Sequence, residues 1–410
     1  MRSKVEFLAV KLNRRWIHKW HKVFCDHQYG GFHERLGEHF KPIEQPHKRL
    51  VSQCRQLAIY AHASAHHPKA HFEQDLKIRF DFLKSKFFIP ETGGWRFSVD
   101  PTGDPLDDTY DLYGNAFVIF ALCFYFQATG DPVAMDLSRQ TADFIDQKFR
   151  HENGGGFVEA LDPDLKSIPK MRRQNPHMHL FEACLFAAKV FEDDIYYELA
   201  DEMYVLFDAY FFDEATATLG EFFDEDLTPH REDGHKVEPG HHFEWVWLLK
   251  KYADLKGDTA RLKTQRMALL DFANIYGYDS EYGGIYDVLD RRGEIIADTK
   301  RVWPFTEGLK ANAMMLDEGG IDKLAIKQRV KDMIDIFEKK YIEPRGFWTE
   351  SLNKDLSSKT DYMPATTPYH VYFGIMETLA YLRSRGESKS WSLKLKRTYY
   401  KLRRGISFKG

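Results

Sequence analysis

A chain of 410 residues would ordinarily divide into two or three domains, unless a long internal repeat unites it. The net charge is −4, and lysines and arginines are dispersed until the C-terminal tail, which excludes a nucleic-acid-binding surface on the body of the protein. Aromatic residues make up 15% of the chain, a fraction that suits both helix packing and faces that stack on sugars.

The four cysteines lie far apart, at Cys25, Cys54, Cys123 and Cys184, and three of them fall within apolar helical segments. They form neither a disulfide framework nor a CxxC metal site, which fits a reducing compartment. The N-terminus lacks the apolar core of a signal peptide, and no stretch approaches the roughly 18 apolar residues that a membrane helix needs. We therefore expect a cytoplasmic protein that binds neither membrane nor nucleic acid.

A glycine-led motif recurs six times along the chain. Each copy begins with glycine, alternates apolar and polar residues for about five positions and ends in Asp or Asn, which predicts a short strand entering a turn. The gaps between copies are 63, 61, 65, 64 and 62 residues. The marker glycines are Gly31, Gly94, Gly155, Gly220, Gly284 and Gly346.

Two helical segments fill each repeat, one before the glycines and one after the turn. The segments after the turn are apolar on all sides, as helices enclosed by others would be, whereas the segments before the glycines mix charged and apolar positions. The sequence therefore predicts twelve helices in six hairpins. The predicted inner helices are 50–63, 112–127, 178–191, 241–252, 303–316 and 368–382.

Helix hairpins can stack as an open solenoid or close into a ring, and periodicity alone does not distinguish the two. Open solenoids need polar capping repeats, yet the last inner helix keeps apolar residues such as Tyr369 and Phe373. We predict an all-α fold, an (α/α)6 barrel over residues 1–384 with short β-strands at one rim. The segment 385–410 is a basic tail, which fits a solvated helix on an acidic outer face better than a site for an anionic partner.

Polar side chains begin or interrupt the predicted inner helices. Arg55 lies within an apolar helix, where an unpaired guanidinium would be costly, so it needs a carboxylate or a ligand oxygen as a partner. Asn175 and Glu182 also have plain structural roles, as a helix cap and an ion-pair partner. The other polar residues of these helices include Tyr113, Asn115, His177, His179, Trp303, Glu307 and His370.

The most concentrated cluster is the segment from Glu238 to Trp245, where Pro239 and Gly240 precede a buried helix. His241 and Glu244 share a face of that helix, and its N-terminus favours a neutral imidazole or a bound anionic oxygen over an imidazolium. Such a histidine can exchange protons. The plainer alternative is that His241 caps the helix and Glu244 is a capping-box carboxylate.

Three other kinds of site fit less well. Histidines 177, 179, 241, 242 and 370 could supply metal ligands, but no recognised zinc spacing is present, so we predict no metal. The chain has no GxSxG, no P-loop and no GxGxxG after a strand, so we expect neither a Ser-His-Asp hydrolase nor a cofactor. Glu244 and Glu307 could form the carboxylate pair of an inverting glycoside hydrolase, but the histidines would then have no role.

Together these segments resemble the N-acylglucosamine 2-epimerase superfamily, which includes cellobiose 2-epimerases, mannose isomerases and aldose-ketose isomerases. The matching segments are 53–55, 175–182, 239–245, 301–307 and 368–370, in the family's order. The resemblance implies that His241 and His370 form the acid/base pair. It places the sugar among Arg55, Tyr113, Asn175, His179, Glu244 and Trp303, and we include Glu182 and Glu307 from the same segments.

The residue types suit this chemistry independently. Isomerising or epimerising a reducing sugar requires ring opening, removal of the proton next to the carbonyl and stabilisation of an enediolate near neutral pH, and histidine suits both proton steps. We assign the C2 proton to His370 and ring opening to His241, although the roles could be exchanged. Arg55 and His179 would donate to the developing oxyanion.

By its resemblance, the chain is expected to be an isomerase that interconverts D-mannose and D-fructose. One alternative is a 2-epimerase acting on mannose and glucose, N-acylglucosamine or cellobiose. More remote alternatives are a glycoside hydrolase and a binding protein that uses the basic tail. The expected partner is a monosaccharide substrate, and a homodimer is left open.

Overall fold

The computed structural model describes residues 1–66, 72–152, 155–316, 318–320 and 322–384. The outer helices are α1 (Arg2–Lys11), continued by α2 (Ile17–Phe24), and α4 (Glu73–Phe87), α6 (Pro132–Lys148), α8 (Asp194–Leu206), α10 (Ala260–Phe272) and α12 (Lys323–Ile336). The inner helices are α3 (Leu50–His66), α5 (Leu112–Thr129), α7 (Gln174–Phe191), α9 (Pro239–Lys256), α11 (Val302–Met315) and α13 (Thr367–Ser384). A π-helical turn, Leu12–Trp16, joins α1 to α2, and similar turns extend α8, α10 and α12.

The inner helices contact one another in sequence, and α13 returns to contact α3. Short antiparallel strands join neighbouring repeats at one rim. The pairs are Lys48–Arg49 with Ser98–Val99, Tyr110–Asp111 with Ala160–Leu161, Arg172–Arg173 with Phe222–Phe223, Lys236–Val237 with Val288–Asp290, Lys300–Arg301 with Ser351–Leu352, and Met363–Pro364 with Arg35–Leu36. Because the sixth repeat pairs with the first, the ring is closed, and the predicted (α/α)6 barrel is confirmed.

The remaining strands extend these pairs or form hairpins within a repeat. They are Phe88–Ile89 with Gly94–Trp95, Phe212–Asp213 with Thr218–Leu219, Pro105–Asp107 beside Ser98–Val99, and Ile295–Ala297 beside Val288–Asp290. The four cysteines are buried and free. The predicted basic tail, 385–410, lies outside the described residues, so the domain boundary at 384 stays a prediction.

One expectation about helix α5 was wrong. Over its 18 residues, Leu112–Thr129, this helix is long and apolar enough to cross a membrane, although no comparable stretch was expected from the sequence. Its composition follows from its position, since an inner helix touches other helices on every side and buries apolar residues all round. Within the barrel, 72% of the helix is buried.

Candidate active site

The inner helices all begin at the strand rim. The backbone N–H at the start of five of them donates to the carbonyl of the residue before a strand in the next repeat, with N···O distances of 2.9 to 3.2 Å. Proline occupies this position in α9 and has no N–H to donate. The equivalent residues, which are the first of their helices except that the last lies two residues before α13, are Leu50, Leu112, Gln174, Pro239, Val302 and Ala365.

Counted from these starts, the polar residues fall into layers along the barrel axis. Five positions in, every repeat projects a side chain into one layer: Arg55, Phe117, His179, Glu244, Glu307 and His370. Three positions further on is a second layer, Ala58, Phe120, Glu182, Trp247, Lys310 and Phe373. Residues three and four apart lie on one face of a helix, so the two layers lie on the same face of each inner helix. The first layer is nearer the helix starts and therefore nearer the strand rim.

A cavity of about 280 Å³ opens at this end, close to the lower limit of typical ligand pockets. Eight of the ten predicted site residues line it: Arg55, Tyr113, Asn175, His179, His241, Glu244, Trp303 and His370. The other two, Glu182 and Glu307, are not part of the lining and lie behind it. Glu182 accepts a hydrogen bond from the Tyr369 hydroxyl, and Glu307 is bonded to His370.

His241 is held by a carboxylate from a neighbouring strand segment. Its Nδ1 lies 2.9 Å from Oε2 of Glu221. Burial alone would lower the pKa of this imidazole, but the charge of Glu221 and its hydrogen bond outweigh burial and raise the pKa to about 9. His241 is therefore an imidazolium near neutral pH. The sequence-based expectation of a neutral ring was wrong, because Glu221 outweighs the positive end of the helix dipole.

His370, in contrast to His241, is neutral near neutral pH. Its Nδ1 lies 2.9 Å from Oε1 of Glu307, yet burial dominates and, with the positive charge of Arg55 assisting it, lowers the pKa of His370 to about 4. The nearby Lys310 and His370 hold the pKa of Glu307 at about 2 despite its burial. A neutral His370 thus donates from Nδ1 to the Glu307 carboxylate, which leaves Nε2 as the basic nitrogen toward the cavity.

Trp303 holds the two histidines apart. The indole lies 5.0 Å from the His241 ring and 5.4 Å from the His370 ring, measured between centroids. This contact depends on Gly240, since a Cβ there would lie 2.6 Å from the indole carbons. The sequence reasoning treated Gly240 as a helix start, and the structure gives it this second role.

Among the described residues, Arg55 is the cation of the cavity lining that lacks a carboxylate partner. Its guanidinium donates to the Tyr113 hydroxyl at 2.5 Å and to the Thr366 carbonyl at 3.4 Å, and no carboxylate of the described chain pairs with it. Its face lies 4.3 Å from the Phe117 ring centroid. The ion pair with a glutamate that the sequence allowed is absent here, which leaves the alternative that a ligand oxygen receives Arg55.

Three carboxyl groups, of Glu307, Glu244 and Glu182, interact with the charge of one lysine, Lys310. Lys310 Nζ lies 2.5 Å from Glu307 and 3.7 Å from the centroid of the Trp247 ring. Burial, with the charges of Glu307 and Glu182, holds the pKa of Glu244 well above its usual range, which favours the neutral form of this carboxyl. Burial also raises the pKa of Glu182 to about 7.

Two groups of side chains here have a spacing that could hold a metal ion. They are His179 with Glu182 and Glu244, and Glu244 with Glu307 and His370. The Lys310 ammonium already supplies a positive charge to these carboxyl groups. The absence of a required metal or cofactor stays a prediction.

His177 and His242 are structural residues and lie outside the cavity lining. In each ring Nε2 accepts a backbone N–H from the glycine-led motif, of Phe157 or Leu219, and Nδ1 contacts the carbonyl four residues earlier. Gln53 makes the equivalent bond in the first repeat, to the N–H of Phe32. Both histidines were candidate metal ligands by residue type. Because both nitrogens of each ring contact backbone groups, they are no longer candidates.

These two histidines predict acid sensitivity. Burial lowers the pKa of His177 to about 4 and that of His242 to about 3. The stability that depends on their neutral form is complete above pH 6.5 and falls as the pH drops, by about 1.4 kcal/mol per histidine for each pH unit. We expect the melting temperature to decrease between pH 6.5 and 4. His177→Gln, which copies Gln53, should weaken this dependence, and an equal slope in the variant would contradict the assignment.

The sequence reasoning missed several residues of the site. Glu221, Glu350 and Lys310 were not proposed, although the repeat contains a signal for the first two. A carboxylate precedes the strand in five of the six repeats, at Glu34, Glu159, Glu221, Asp287 and Glu350. Glu238, Arg301, Thr366 and Thr367 also line the cavity and come from the segments already singled out.

Comparison with known proteins identifies the family. The model of the N-acylglucosamine 2-epimerase family matches residues 30–374. The chain belongs to this family. Its relatives are sugar isomerases and 2-epimerases, and the chain is an isomerase of this kind.

The relatives that resemble the chain are named for different sugar isomerase and epimerase activities. The mannose-6-phosphate isomerase of Rhizobium meliloti (strain 1021) is 29% identical over 90% of this chain and 95% of its own length. The cellobiose 2-epimerase of Dictyoglomus turgidum (strain DSM 6724 / Z-1310) is 24% identical over 87% and 91%. A solved D-mannose isomerase has the same fold, with a TM-score of 0.79 at 21% identity over 89% of this chain and 96% of that one.

Proposed function

We propose that the protein interconverts D-mannose and D-fructose by aldose-ketose isomerisation. The observation that carries this proposal is the pair of cavity histidines, one neutral and one protonated, on either side of Trp303. Such a pair supplies a base and an acid at the same pH, which is what proton transfer next to a carbonyl requires.

In this mechanism His241 gives its proton to the ring oxygen as the bond between C1 and that oxygen breaks. It then takes up the proton that the C1 hydroxyl releases and donates it toward the carbonyl oxygen. His370 Nε2 removes the proton from C2, and the electrons of the C2–H bond move to form the enediolate. Arg55, which pairs with no carboxylate among the described residues, stabilises the charge on the oxygens of the enediolate. His370 then returns the proton to C1 while His241, neutral after protonating the first oxygen, takes the proton of the C2 hydroxyl, which gives the ketose.

The fixed charge states favour isomerisation over 2-epimerisation. A 2-epimerase needs an acid and a base on opposite faces of C2, and by microscopic reversibility these exchange roles in the reverse direction. Epimerisation would leave His241 neutral and His370 protonated, the reverse of the states that a pKa of about 9 for His241 and of about 4 for His370 favour. A single base that moves the proton between C2 and C1 avoids this difficulty.

The charges of the cavity favour an unphosphorylated sugar. Arg301 is engaged by Glu238 at 2.8 Å and by Asp287 at 3.0 Å, so it is not available for a phosphate. Glu238 and Glu350 add carboxyl groups to the lining. A phosphate dianion would meet these groups with Arg55 as the unpaired cation of the described lining, and the cavity volume suits a single hexose.

Proton NMR of the protein with D-mannose tests this proposal. We expect fructose to appear and mannose 6-phosphate to react at least tenfold more slowly. Glucose as the product would instead assign a 2-epimerase. If mannose remains unchanged while cellobiose or N-acetylglucosamine is converted, the proposed substrate is wrong and the acid/base pair stands.

A further inference from the structure

The carboxylate that precedes the rim strand forms a clamp in three repeats. In repeats one, three and five it accepts hydrogen bonds from the backbone N–H and the guanidinium of an arginine just before the inner helix. The clamp pairs are Glu34 with Arg49, Glu159 with Arg173, and Asp287 with Arg301. These bonds fix the start of each inner helix to the strand.

The fourth repeat keeps the carboxylate but lacks the arginine. Glu238 occupies the arginine position, and Glu221 accepts only its backbone N–H, at 3.3 Å. The Glu221 side chain is 3% exposed and is directed to Nδ1 of His241 at 2.9 Å and to Nε2 of Gln174 at 2.9 Å. Gln174 is itself fixed, because its Oε1 accepts the indole N–H of Trp245 at 2.8 Å.

We infer that Glu221 is a positioning residue, which fixes the orientation and the positive charge of His241 with a carboxylate that repeats one, three and five use in the clamp. This inference rests on the proposed function, in which His241 is the acid. The bond at Nδ1 directs the opposite nitrogen, Nε2, toward the cavity. A repeat position that stabilises the fold elsewhere thus serves the chemistry here.

Glu221 is the dominant charge around His241. The ionisable groups that face this ring are Glu221, Glu238, Glu244 and His179. Glu238 is paired with Arg301, and Glu244 and His179 are neutral because burial shifts the pKa of each well away from its usual value. Glu221 is the carboxylate in hydrogen-bond contact with His241.

A ¹⁵N NMR titration of the histidine rings in the full-length protein tests the inference without requiring turnover. The His241 signals are assigned from their loss in His241→Asn. In Glu221→Gln the His241 titration should move down by about one to three pH units, because the opposite charge in contact is removed. Glu34→Gln is the matched control, since it breaks an intact clamp and should leave the His241 titration unchanged.

An unchanged His241 titration in Glu221→Gln would overturn the inference. The wild-type titration is decisive if that variant does not fold, because a His241 that titrates below pH 6.5 in the wild type overturns the inference equally. In the activity assay, the alkaline limb of the kcat profile should move with the titration while KM changes little. A moved titration in a protein that converts no sugar would contradict the proposed function and leave the role of Glu221 intact.

Discussion

His370→Asn is expected to lower kcat on D-mannose by about 10²- to 10⁴-fold, the usual contribution of a positioned general base. The asparagine amide can donate a hydrogen bond to the Glu307 carboxylate in place of the imidazole, but it cannot take a proton from C2. KM should change much less than kcat, because Arg55 and the other lining residues still hold the sugar. Initial rates of fructose formation at a fixed pH near 7 measure the effect.

His177→Gln provides the control for that experiment. It also removes a buried histidine from the start of an inner helix, but this ring holds the backbone of Phe157 and is not part of the cavity lining. We expect its kcat to remain within a few-fold of wild type at a temperature where both proteins are folded. Retention of more than a tenth of wild-type kcat by His370→Asn would show that the base is a different residue.

Lys310→Met is expected to destabilise the protein by about 3 to 5 kcal/mol, because it leaves the buried Glu307 carboxylate without its cation. Lys310 is 1% exposed and Glu307 is 1% exposed, so water cannot replace the lost ion pair. The free energy of unfolding from denaturant titration measures the loss. We also expect the pKa of Glu307 to rise, which weakens its hold on His370.

A second substitution separates charge from packing at this position. In Lys310→Met combined with Glu307→Gln, the buried charge is gone as well, so a substantial part of the lost stability should return. Lys331→Met on the exposed face of α12 should change stability by no more than about 0.5 kcal/mol. If the double variant were less stable than Lys310→Met alone, the ion pair would not be the cause of the loss.

The fold was accessible from the sequence because its repeat is strong. Four of the six marker glycines, Gly31 and Gly284 among them, lie where the chain turns with positive φ. Adjoining helices also differ clearly in how far they are apolar. The helix starts were harder to predict. Helix α7 begins at Gln174 and not at 178, since its first turn carries polar residues that line the cavity and interrupt the apolar pattern.

The candidate site was predicted less completely than the fold. Polar residues at helix starts, such as Asn175 and His241, stand out against apolar helices. His177 and His242 have the same appearance but bind backbone groups, and sequence spacing cannot tell which side of a helix faces the axis until the helix starts are known. The cap alternatives are also wrong, because Arg173 and Glu238 are the N-caps of α7 and α9.

The charges of the site required the tertiary structure. Glu221 lies 20 residues from His241 along the chain, and Glu307 lies 63 from His370, so no local pattern joins either pair. The balance between burial and these carboxylates decides which histidine is protonated. The repeat does contain one signal for this difference. In the fourth repeat the carboxylate Glu221 is present, but Glu238 stands where repeats one, three and five have the clamp arginine.

The role of His370 as the base can be measured directly as cleavage of the C2–H bond. D-mannose is incubated in heavy water with the wild type or His370→Asn, and the loss of the C2 proton signal is followed by NMR. We expect rapid loss of the C2 proton signal with the wild type, together with appearance of fructose, and no loss above background with His370→Asn. Loss of the C2 proton at a wild-type rate in His370→Asn would contradict the assignment of His370 as the base.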